Sequence, residues 1–99
     1  MAYKIILRKR FIVRSEQVAN WIEKEWSKAS ADKFVSILYK KIESLRQTPF
    51  AGIVSSKKPD YRKLIISKHN KIYYRVKGKT IYIVSLIESR QDPKKNKYE

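Results

Sequence analysis

The sequence predicts an α+β fold of order β-α-α-β-β-β, with a helical hairpin packed on one face of a small antiparallel sheet. Three observations carry it: a short alternating apolar segment at the start, two apolar stripes at helical spacing between residues 15 and 45, and three β-type segments after residue 60. In the first segment Tyr3, Ile5 and Leu7 share one side of an extended chain, so Tyr3 to Arg8 reads as a strand. From Ser15 to Trp26 the period changes. Val18, Trp21, Ile22 and Trp26 recur at helical spacing with Glu16, Glu23 and Lys24 on the other side, and Ser15 is the expected N-cap. After Ser27-Lys28-Ala29, Ser30 is the expected cap of a second helix whose stripe is Phe34, Ile37, Leu38, Ile42 and Leu45. The short break makes the two helices a hairpin.

Gln47 to Asp60, with Pro49, Gly52 and Pro59, reads as the one loop-like stretch, separating helices from strands. Strands are expected at about 61–67, 71–77 and 80–87 as an antiparallel meander, with Gly78 supplying the positive φ of the last turn. In the middle strand Ile72, Tyr74 and Val76 alternate with Tyr73, Arg75 and Lys77, so one sheet face should meet the helices and the other should be basic, tyrosine-bearing and partly wet.

Ninety-nine residues are expected to form one domain over 1–99, with a basic tail from about residue 89. A hydrophobic share of 42% is enough for one small core. No cysteine is present, which removes disulfides, thiolate zinc sites and thiol nucleophiles and points to a reduced cytoplasm. No apolar run approaches the roughly 20 residues of a membrane span, and Lys4, Arg8, Lys9 and Arg10 interrupt any export signal, so a soluble, unexported protein without a membrane partner is expected. The net charge of +15 is uneven: residues 15–56 are nearly neutral and the basic excess sits at the two ends, residues 1–14 and 57–99. Such a charge calls for a polyanionic or acidic partner.

Most enzyme chemistries fail for want of parts. His69, the sole histidine, stands beside Asn70 at an expected turn, which excludes a triad or a histidine metal cluster. Gly52 and Gly78, the only glycines, form no phosphate-binding loop, and the acids are scattered. No cofactor and no metal are expected. What remains is a set of cations and tyrosines on strands: Tyr61, Arg62, Lys63, Tyr73, Tyr74, Arg75, Tyr82 and Arg90. It can grip phosphates and stack bases, and metal-free RNA cleavage is chemically allowed to it; equally, it can be amphipathic strand residues and solubilising charge. Trp21 and Trp26 read first as packing within the helical hairpin, with an antitoxin or dimer interface open to them.

The layout resembles the RelE/ParE superfamily, the small basic toxins of type II toxin-antitoxin modules often labelled plasmid-stabilisation proteins. The resemblance spans nearly the whole chain and rests on Ser30-Ala31-x-x-Phe34, Leu45-x-x-x-Pro49-x-x-Gly52, Tyr61-Arg62-Lys63-Leu64, Lys71-Ile72-Tyr73-Tyr74-Arg75-Val76 and Arg90-Gln91-Asp92-Pro93, in that order. It implies a growth inhibitor silenced by a cognate acidic antitoxin. ParE-like members poison DNA gyrase; RelE-like members cut mRNA on the ribosome. Ile66 stands where the RelE pattern places a catalytic arginine, while Arg62 and the Arg90-x-Asp92-Pro93 ending are similar to the ParE pattern, so a ParE-like toxin is expected, with a metal-free mRNA endonuclease second and a non-toxic nucleic-acid-binding module third. The resemblance carries Arg62, Tyr74, Arg75 and Arg90 over as target-binding candidates. The meander should gather Arg62, Arg75 and Arg90 into one basic site. Two alternatives stay open: Tyr74 as a core residue, and an Arg62–Asp92 pair that holds the last strand.

Overall fold

The structure, a computed structural model, describes residues 3–88. Its elements are β1 (Lys4–Leu7), α1 (Lys9–Glu25), α2 (Lys28–Ser44), β2 (Ile53–Val54), β3 (Arg62–Ser67), β4 (Asn70–Lys77) and β5 (Thr80–Glu88). The five strands form one sheet in the order β1-β5-β4-β3-β2. The expected α+β architecture is present, with one correction to the sheet. It is mixed rather than antiparallel, because β1 runs parallel to β5, Ile5 opposite Ile81 and Leu7 opposite Ile83. A parallel pair needs a long crossover, and here β1 and β5 are the two ends of the sheet-forming sequence, with the hairpin between them.

The helices form where an apolar stripe can be buried. Phe11, Ser15 and Val18 are the buried positions of α1, and Ala31, Phe34, Leu38 and Ile42 those of α2. Of these, Phe11, Val18, Phe34, Leu38 and Ile42 meet Ile72, Tyr74, Ile81, Ile83 and Leu86 from the sheet in one apolar cluster. Arg46 fastens the far end of α2 by donating to the Tyr3 carbonyl (2.8 Å) while bonding to Glu43.

Both helix starts differ from the sequence reading. Helix α1 begins at Lys9, not near Ser15: Phe11 already occupies a core position one turn earlier, and the buried Ser15 hydroxyl donates back to the Ile12 carbonyl (2.8 Å) instead of capping. In α2 the cap is Ser27, whose Oγ accepts from the Ser30 amide at 3.0 Å. Ser30 lies inside the first turn, and its hydroxyl bonds to that of Ser27 (3.0 Å).

The register of β4 against β5 sorts the sheet into two faces. Ile72 lies opposite Leu86 and Tyr73 opposite Ser85, but Tyr74 lies opposite Ile83, so Val84 has no partner on β4. This bulge lets Leu86 join Ile81 and Ile83 on the helix side although it lies an odd number of positions, three and five, beyond them. Gly78 turns β4 into β5 at φ +60°, as its position predicts. Tyr73, on the side away from the helices, is fully buried rather than wet, with Lys71 Nζ 5.8 Å from its ring.

The cap assignment can be tested directly. Ser27→Ala should cost about 1 kcal/mol, lowering the melting midpoint by roughly 4–8 °C, whereas a cap at Ser15 would predict that loss for Ser15→Ala. Thermal melts followed by circular dichroism distinguish the two.

Candidate functional site: two clamps, a cationic cleft and a tryptophan groove

Paired residues on neighbouring strands project to the same side of a sheet. Arg62 pairs with Tyr74, and Tyr74 belongs to the helix-side cluster, so Arg62 projects to that side. Arg75 pairs with Tyr82 and projects to the other. The single basic site expected from Arg62, Arg75 and Arg90 is therefore not formed by its first two members, because they stand on opposite faces. Arg90 and Asp92 lie outside the described residues.

Arg62 and Tyr74 instead clamp the segment after α2. The Tyr74 hydroxyl is buried and accepts from the Gly52 amide at 2.8 Å. Arg62 Nη1 donates to the Gly52 carbonyl (2.8 Å) and to the Phe50 carbonyl (3.3 Å), and its guanidinium lies 5.2 Å over the Phe50 ring. Gly52 is required by this close approach: a Cβ would fall 2.7 Å from the Lys63 carbonyl oxygen and from the Tyr74 ring and hydroxyl. The stretch read as a loop thus contains a two-residue strand, β2, and buried Gly52 and Ser55. Tyr74, a target-binding candidate in the sequence reading, is a core residue. Burial pushes its phenol above the usual value of 10, opposed by the Gly52 hydrogen bond and the Arg62 charge.

On the face away from the helices, Arg8, Arg10, Tyr61, Arg75, Lys77, Tyr82 and Val84 line an open cleft of about 320 Å³. The Arg8 guanidinium stacks 4.7 Å over Tyr82, and Arg75 lies 6.0 Å over Tyr61. Beside it α1 begins without a side-chain cap and without an acid in its first turn. Its N–H groups and the arginines therefore present positive charge together, an arrangement that destabilises a helix end unless an anion neutralises it. Arg75, Tyr61 and Tyr82 belong to the set of cations and tyrosines read from the sequence. Arg8 and Arg10 were missed, and the signal that marks them is the basic run Arg8-Lys9-Arg10 directly after a strand.

A third surface lies at the turn end of the hairpin, where α1 passes into α2. Trp21 and Trp26 are 51% and 75% exposed, so they are not hairpin packing. With Val18, Ile22, Ser30, His69, Asn70 and Glu88 they line a groove of about 280 Å³. Among the described residues no group of acids and histidines could hold a metal ion, and no helix is long and apolar enough to cross a membrane. Ile66 is a core residue at an irregularity in the β3 register, and His69 is exposed in the β3–β4 turn.

These features define a small cationic α+β protein with one charged concave face and one apolar groove. A family profile for the ParE toxin of type II toxin-antitoxin system, parDE, matches residues 5–93, and the chain belongs to that family. No curated protein sequence matches it. Among solved structures it is similar to the chromosomal ParDE TA system from P. aeruginosa, at 19% identity and TM-score 0.76, over 88% of this chain and 96% of that one. It is also similar to the YoeB/ParE toxin from Agrobacterium tumefaciens (16% identity, TM-score 0.62, 86% and 96% covered). A third likeness is to the conserved hypothetical protein HP0894 from Helicobacter pylori (19% identity, TM-score 0.60, 90% and 97% covered). At these identities the structures establish the shared fold.

The clamp predicts a pH signature. Tyr74→Phe leaves the buried Gly52 amide without its acceptor and should cost about 1–3 kcal/mol at pH 7. Because burial raises the folded-state pKa, the wild-type advantage is fully present below the unfolded value of about 10 and declines as pH rises through the folded one. Urea titrations of both proteins at pH 7 and above pH 10 should show the gap narrowing; a gap unchanged or widened at high pH contradicts the assignment.

Proposed function

We propose that this protein is the toxin component of a type II toxin-antitoxin module and arrests growth by acting on DNA gyrase, until a cognate acidic antitoxin neutralises it. The observation that carries the reading is the ParE toxin profile over residues 5–93. The core placement of Ile66, at the position where the RelE pattern has a catalytic arginine, supports the gyrase-directed branch. A charge of +15 gives an acidic antitoxin a strong steering field, and the exposed Trp21–Trp26 groove offers it an apolar anchor that salt does not screen.

A second reading is favoured by the cleft. Arg8, Arg10 and Arg75 beside an uncapped helix start can hold phosphate, and Tyr61 and Tyr82 offer ring faces to bases, which suits cleavage of mRNA on the ribosome. In either reading the cleft meets an anionic surface: acidic protein and DNA at gyrase, RNA on the ribosome.

Induction of the protein alone should arrest growth, and co-expression of the antitoxin should restore it. Plasmid supercoiling should change before translation slows; the reverse order selects the RNA reading. Arg75→Glu should abolish the arrest while leaving the melting curve near wild type, since it replaces an attractive charge by a repulsive one at a partly exposed site. A fully toxic, folded Arg75→Glu protein removes the cleft from the account.

A further inference from the structure

Trp26 stands at the end of α1 and Trp21 just over one turn before it, and both stay largely exposed beside the groove they line. Contiguous exposed apolar surface of this kind marks an interaction site, and tryptophan is among the residues that most often dominate one energetically. The charge around the groove differs from that of the rest of the molecule. Its lining contains no lysine or arginine and one acid, Glu88. Along the turn from α1 to α2, Glu23, Lys24, Glu25 and Lys28 alternate in sign and sum to zero; all four are exposed, and none forms an ion pair with another described residue. A chain of +15 repels its own copies over most of its surface, but not here. A uniformly acidic partner finds no match in an alternating pattern. A copy related by a two-fold axis brings the same pattern in the reverse direction, so that acids can meet lysines.

We propose that the Trp21–Trp26 groove is a two-fold interface between two copies of this chain, with Trp26 of each copy seated in the groove of the other. Such a contact needs the protruding residue and the receiving space side by side on one surface, which the exposed indoles and the groove of about 280 Å³ provide. The area sets the strength. At their exposures the two indoles offer about 200–300 Å² per copy. That is well under the roughly 800 Å² per partner of a standard stable interface, so even with the flanking residues the dimer is a weak one, with a dissociation constant on the order of micromolar. The cationic cleft shares no lining residue with the groove, so the dimer keeps two clefts open, and a target with two anionic sites within reach is held by both. An antitoxin anchored on the same indoles displaces the second copy, but the dimer itself holds for the protein alone, whatever its target.

Sedimentation equilibrium on the purified chain alone, from about 1 to about 100 μM, tests it. The average mass should rise from monomer towards dimer with concentration. Raising salt from about 0.05 to about 0.5 M should tighten the dimer at least about threefold, because salt screens the repulsion between two molecules of +15 and leaves the indole contacts intact, while exposed ion pairs are individually weak. Trp26→Ser should weaken the dimer at least about tenfold with a melting curve near wild type, since the side chain is exposed. Ile53→Ser, at another exposed apolar residue outside the groove, should dimerise as wild type does. A chain monomeric at every concentration, a dimer indifferent to Trp26→Ser or a dimer that loosens with salt overturns the proposal. A monomer whose binding of the antitoxin is weakened by Trp26→Ser also overturns it and gives the groove to the antitoxin. Loss of the dimer leaves the toxin-antitoxin reading intact, and a lack of growth arrest on induction leaves the dimer intact.

Discussion

The pairing of β4 with β5 is the constraint on which the rest of the structure depends. A regular ladder would send alternate residues of β5 to the helices without interruption, and Leu86 would then face away from them. The unpaired Val84 shifts the phase once, so Ile81, Ile83 and Leu86 all reach the apolar cluster while Tyr82 stays opposite Arg75 on the other side. Sheet faces in a chain of +15 cannot be interchangeable: charge must remain where water or an anion can reach it. The bulge separates one face that is dry beneath α1 and α2 from one that gathers cations.

That separation decides what each arginine can do. Arg75 lies on the open face with Arg8, Arg10 and two tyrosine rings, where few protein acceptors compete for it. Arg62 lies at the edge of the helix-side face and spends its donors on the carbonyls of Phe50 and Gly52. The same residue type thus lines an open cleft on one strand and has a structural role on the next. Tyr74 completes the second role: its ring fills the core, and its hydroxyl satisfies an amide that would otherwise be buried without a partner.

Much of this was legible in the sequence, and what was missed has a common cause. The stripe of the second helix, the three later strands and the Gly78 turn depend on spacing within a dozen residues, and each is where the pattern places it; of the first stripe only Val18 and Ile22 pack against the core. The start of α1 was hidden because Lys9, Arg10 and Arg14 mask Phe11, and because Ser15 resembles a cap when its hydroxyl is in fact satisfied within the helix. Strand β2 was hidden because two residues carry no periodicity; only the β-branched Ile53-Val54 after Gly52 marks it, and its partners lie eight and ten residues on. The faces of Arg62 and Arg75 could not be compared without the register of β3 against β4. The exposure of Trp21 and Trp26 depends on which part of α1 the core covers, which their helical spacing does not state.

The central claim is that Arg62 holds the fold while Arg75, on the open face, contributes little to it. Equilibrium unfolding in urea of Arg62→Ala and Arg75→Ala tests it most directly, free of any assumption about the target. Loss of charged hydrogen bonds to two carbonyls should cost Arg62→Ala about 1.5–3 kcal/mol, and loss of a stacking contact at a partly exposed site should cost Arg75→Ala less than about 1 kcal/mol. The opposite order, with Arg75→Ala the less stable protein, would contradict the account.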